Sequence, residues 1–196
     1  MISTAPTYEE LLTEVAGGPL GADADFYKLE IHSSWYFPGF WEGHVWELLG
    51  RTGVVEGYGE KKANPLLEVP LFDRYFMGGV NTLRGYRYHQ VGDIATRDPG
   101  TGEPLGGKTF YYGSVEYSLP IIERLRFALF YDIGNVYANS YDFDFGNFSD
   151  NWGVGFRLNI PHLGPLRLDY GIPITHDKYS SGSGKFQFSV GFTREY

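Results

Sequence analysis

Apolar and polar residues alternate one for one along most of this chain, a period of two that permits strands and argues against helices. In 26–37 one face reads Tyr27, Leu29, Ile31, Ser33, Trp35, Phe37 and the other Phe26, Lys28, Glu30, His32, Ser34, Tyr36. In 125–133, Leu125, Phe127, Leu129, Tyr131 and Ile133 oppose Arg126, Ala128, Phe130 and Asp132. The same pattern returns at 152–160, 166–172 and 186–192. Segments 44–58 and 109–119 bring the strands to seven. Tyr8–Ala16, rich in Glu, Leu and Ala, could form a short amphipathic helix. It is read here as an eighth strand, because a closed barrel needs a partner for its first edge.

The connections alternate in length. Short turns hold Pro and Gly, at 38–39, 120–123 and 161–164, whereas longer polar stretches fill 17–25, 59–108, 138–147 and 176–184. Short turns at one end and long loops at the other are what outer-membrane barrels show. Composition agrees: 27 Gly and 35 aromatics (4 Trp, 16 Tyr, 15 Phe) accompany a mean hydropathy of only −0.27. No apolar run approaches the roughly 18 residues of a membrane helix. A barrel strand needs none, since it shows lipid only every second side chain. The polar faces collect Lys28, Glu30, Glu116, Arg126, Asp132, Arg157 and Asp169, nearly balanced in sign, while the apolar faces are aromatic. Paired charges inside and aromatics outside describe a small barrel in lipid. A soluble barrel with an aromatic interior is the alternative.

Several functions are excluded on the same grounds. A net charge of −8 argues against nucleic acid as a partner. With no cysteine, there is no thiolate nucleophile and no Cys-ligated metal. The five histidines show no metal-ligand spacing. Residues 102–109, GEPLGGKT, satisfy the phosphate-binding G-x-x-x-x-G-K-[ST] pattern. That mechanism requires a strand before the loop and a helix N-terminus after it. Here a loop precedes and an alternating strand follows, so the match is read as chance. No enzyme chemistry and no cofactor are expected. The first seven residues lack the charged and apolar regions of a secretory signal, so the chain is expected to be a mature or excised form.

From Val69 the sequence runs VPLFDRYFMGGVNTLRGYRY. This resembles the sixth extracellular loop of the BamA family of outer-membrane insertases, in the bacterial surface antigen superfamily. An F-x-G-G segment (Phe76, Met77, Gly78, Gly79) precedes a loop tip of Leu83, Arg84, Gly85 and Tyr86, with Leu where the family has Val or Ile. Further family-like motifs follow in order: the strand carrying Glu116, then FYDIGNV at 130–136, GFR at 155–157 and PHLGPLRLDY at 161–170.

The resemblance implies antiparallel strands in the bacterial outer membrane and a role in assembling outer-membrane proteins. It also implies that Arg84 reaches the lumen wall at Glu116 and Asp132. The last strand (Phe186, Phe188, Val190, Gly191, Phe192) resembles the signal by which such barrels are handed to the assembly machinery. Family members carry sixteen strands and periplasmic POTRA domains. This length suggests a single eight-strand barrel over residues 1–196, with no POTRA domain and a long extracellular loop at 59–108. An eight-strand lumen is just filled by side chains, so that loop is not expected inside. The partners expected are outer-membrane lipid, a second copy, or client β-strands at the seam between first and last strands. A structural eight-strand barrel without insertase activity, dimeric or not, is the alternative function.

Overall fold

A computed structural model describes residues 8–18, 21, 24–59, 68–160, 164–175 and 182–191. Within them the chain forms eight strands: β1 (Tyr8–Ala16), β2 (Phe26–Pro38), β3 (Val45–Gly57), β4 (Thr109–Ile122), β5 (Leu125–Tyr137), β6 (Ser149–Ile160), β7 (Gly164–Pro173) and β8 (Lys185–Val190). They build one antiparallel sheet in sequence order, each strand hydrogen-bonded to its chain neighbour. Tyr8–Ala16 is a strand throughout, in register with β2 from Tyr8↔Ser34 to Ala16↔Phe26. Its helix propensity yields to the ladder that β2 offers.

Burial follows the alternation. On β2, Leu29, Ile31, Trp35 and Phe37 are exposed, while Phe26, His32 and Ser34 between them are buried. On β5, Leu129 and Tyr131 are exposed and Ala128, Phe130 and Asp132 are buried. The apolar, aromatic face therefore points outward, and the charged face is the inner one. A water-soluble barrel would have these two faces reversed.

Two expectations need correction. The segment 120–123 is not wholly a turn, because β4 continues through Pro120 to Ile122 with a register shift between those residues. Proline has no N–H to donate, so the ladder passes it with an irregularity. Part of the described loop between β3 and β4 also lies inside. Val69, Tyr75, Met77, Leu83, Tyr86 and Val91 are buried and pack with Phe26, Val55, Phe110, Tyr112 and Val136 of the strands. Apolar side chains in the loop have no other place away from water, so they complete the core that the sheet alone cannot close. Backbone pairs tie the loop down: Tyr75 and Gly107 exchange hydrogen bonds at 2.9 and 3.0 Å, and the Asp93 N–H donates to the Val136 carbonyl at 2.8 Å.

At the ends of the sheet the ladder stops. Among the described residues β1 pairs only with β2 and β8 only with β7. Phe192, residues 161–163 and His176 lie outside the described residues.

Candidate functional site

The loop tip is set by its glycines. Gly78 and Gly79 adopt φ of +112° and +101°, in the region that L side chains avoid. Together they turn the chain so that the Gly79 N–H reaches the Leu83 carbonyl at 3.2 Å and Thr82 Oγ1 accepts from the Gly78 N–H at 2.8 Å. Leu83, Arg84 and Tyr86 are then carried onto the inner wall, each at most 2% exposed. Gly85 lies flat on β7: a Cβ on Gly171 would come within 2.6 Å of the Gly85 nitrogen and 2.7 Å of the Arg84 carbonyl carbon.

Arg84 meets the wall along its whole guanidinium edge. Nε and Nη2 donate to the two oxygens of Asp132 at 2.9 and 2.7 Å, a bidentate pair. Nη1 donates to Glu116 Oε2 at 2.7 Å, and Nη2 also reaches Ser114 Oγ at 3.2 Å. The guanidinium carbon stands 3.4 Å from the centre of the Phe130 ring, a cation–π contact from below. Asp132 is in turn held by Ser114 Oγ at 2.8 Å and Asn151 Nδ2 at 3.0 Å.

The charge network extends beyond the three residues that the motif suggests. Arg157 on β6 donates to both oxygens of Glu116, at 3.0 and 2.7 Å, and to Asp169 Oδ1 on β7. Asp169 is fully buried and lies 3.6 Å from Arg84 Nη1. On β8, Gln187 Nε2 donates to the carbonyls of Tyr86 at 2.9 Å and Arg84 at 3.3 Å. Tyr86 Oη donates to the carbonyls of Asp150 and Thr175. One loop tip therefore touches β4, β5, β6, β7 and β8. Asp169 and Arg157 were readable as inward charges from the alternation. Their grouping with Arg84 was not, because it depends on strand register.

Every carboxylate oxygen of Glu116 and Asp132 faces a guanidinium or a neutral donor, so the arrangement holds the loop tip to the wall. Residues 102–108 run as loop directly into β4, so Thr109 opens a strand and the phosphate-binding pattern has no helix behind it. Phe186, Phe188 and Val190 are exposed on the outer face of β8, and Gly191 follows at φ +102°.

The Omp85 superfamily domain matches residues 1–193. The outer membrane protein assembly factor BamA of Nitratidesulfovibrio vulgaris is 32% identical over 96% of this chain, which spans 23% of that protein. A SAM50-like protein of Drosophila melanogaster is 24% identical over 96% of the chain, which spans 41% of it. The crystal structure of BamA from Haemophilus ducreyi lacking POTRA domains 1–3 superimposes with a TM-score of 0.74, at 23% identity, over 94% of this chain and 38% of that one. The chain thus covers well under half the length of these relatives, and matches their barrel fold. By its sequence over nearly its full length, it belongs to the Omp85 superfamily.

Proposed function

We propose that this chain works in the bacterial outer membrane as a barrel wall engaged in the assembly of other outer-membrane proteins, without covalent chemistry. The relatives named as assembly factors support that role. The observation that carries it is that, among the described residues, β1 pairs only with β2 and β8 only with β7. In lipid each unsatisfied backbone N–H or C=O costs several kcal/mol. Such an edge is therefore a template on which an incoming strand can pair. The Arg84 network fixes the loop tip to β4 through β8 and leaves the edge at β1 as the least anchored part. The outward row Phe186, Phe188, Val190, with Gly191 and Phe192 after it, serves as the signal strand through which this chain is itself recognised by an assembly machinery.

A structural barrel wall is the competing reading, favoured by how completely the inner charges satisfy one another. Folding of a client barrel into liposomes separates the two. With this chain embedded, folding should run faster than in liposomes holding an unrelated eight-strand barrel. Equal rates would leave the structural reading.

A further inference from the structure

We propose that the outward face of β3 to β6 holds a site for one acyl chain of a phospholipid. The site is a trough in that face, about 360 Å³ in volume. Pockets that take small molecules run from roughly 300 to 1,000 Å³. The trough lies in the middle of the sheet, so it does not depend on what borders β1 or β8.

Strand register makes the trough. Trp46 on β3 is paired with Tyr117 on β4, and Tyr117 with Leu129 on β5. In the next outward row, Val115 on β4 is paired with Tyr131 on β5, and Tyr131 with Trp152 on β6. The bulky rings therefore stand on β3 and β4 in one row and on β5 and β6 in the next. Val115 and Leu129, diagonal neighbours, form a low floor between the two aromatic pairs. Phe40, from the short turn between β2 and β3, extends the first wall, its ring 6.0 Å from Trp46 and 5.8 Å from Tyr117.

Both walls are fixed without an occupant. The Trp46 and Tyr117 rings stand 4.5 Å apart. Tyr117 Oη is hydrogen-bonded to His44 Nδ1 at 2.7 Å and accepts from the Phe40 N–H at 3.4 Å. Tyr131 Oη donates to Asp150 Oδ2 at 2.8 Å. The phenol hydroxyls of both walls are thus taken up within the chain, and the surface left to a ligand is almost wholly carbon. A site built in advance spares its ligand the cost of ordering the walls.

This chemistry selects the occupant. In an outer-membrane barrel the outward face lies in lipid, so the occupant comes from the membrane. A polypeptide laid in the trough would leave its backbone N–H and C=O groups without partners, which a lipid surrounding does not tolerate. A hydrocarbon chain has no such groups to satisfy. Phe40 and Trp41 are 73% and 69% exposed at the short turn, where aromatic side chains mark the membrane interface. Phe40 also lines the trough. The acyl chain therefore enters from the leaflet at the short-turn end, with its headgroup level with that turn.

The test uses the full chain in a mild detergent, with the heat-dependent shift in gel mobility confirming that each variant is folded. A phospholipid with brominated acyl chains quenches a tryptophan that it touches. In a variant whose sole tryptophan is Trp46 (Trp35→Phe, Trp41→Phe and Trp152→Phe), fluorescence should fall and level off once each chain holds a single lipid. Leu129→Phe in that background raises the floor while keeping the face apolar, and should weaken the quenching about tenfold. Leu168→Phe, on the outward face of β7 and outside the trough, should leave it unchanged. Quenching that declines without a plateau, as surrounding lipid gives, overturns the proposal. So does an equal response of the two Phe variants, or a trough that keeps detergent and does not exchange it for phospholipid. The proposal rests on placement in the membrane and not on the assembly role. Liposomes holding the Leu129→Phe chain separate the two, because client folding there reports on assembly alone.

Discussion

Arg84 is 1% exposed and shares its charge among Asp132, Glu116 and, at longer range, Asp169. Taking an arginine and these carboxylates out of water is costly, and the network is tolerable because every group has a partner. Removing one partner is then worse than never having built the pair. Arg84→Ala strands Asp132 and Glu116 in a dry wall and should cost about 3–5 kcal/mol. The loop should leave the sheet, so protease should cut between residues 68 and 107 in the variant and not in the parent. Arg84→Lys keeps the charge but not the bidentate geometry, and should fall between the two. A variant as resistant as the parent would show that the buried apolar side chains, Leu83 and Met77 foremost, hold the loop without the arginine.

At the scale of elements, the question is how a loop can lie against a strand. β7 accepts the loop tip because Gly171 offers no side chain where the backbone of Arg84 and Gly85 passes. The contact is backbone on backbone, so a methyl group has nothing soft to displace. Gly171→Ala should destabilise by about 1–3 kcal/mol, the usual cost of overpacking, and should expose the same loop to protease. Gly50 on β3 is the matched control, with no atom within 4 Å of an added Cβ. Gly50→Ala should leave the denaturant midpoint nearly unchanged, and equal losses at both sites would mean that strand propensity, not the loop contact, is being measured.

Across the whole molecule, ladder length and anchoring fall toward the ends. β2 and β3 share thirteen paired positions, β1 and β2 nine, and β7 and β8 six. Leu11 and Val15 on β1 are 67% and 60% exposed, and the loop's contacts concentrate on β4 to β7. Local opening free energy follows buried contact and shared hydrogen bonds. Amide exchange in detergent should therefore be fastest in β1 and the outer half of β8 and slowest in β4 to β6. Slow exchange along β1 under conditions where the chain is a single copy would place a partner on that edge within the same chain.

The sequence by itself determined the strands, their inward and outward faces and the strand that follows residues 102–108. All three are local: a period of two fixes which side chains share a face, and the segment after Thr109 alternates whether or not the rest is folded. The motif around Arg84, read through its family resemblance, pointed to the loop whose arginine meets Asp132 and Glu116. Only the tertiary structure decided that the tip of this loop lies inside, that Asp169 and Arg157 join the network, and that β4 runs on past Pro120. Register is the physical reason. Residues 84, 116, 132, 157 and 169 are far apart in the chain, and only the pairing of four successive strands, β4 to β7, against one loop tip brings their charges together.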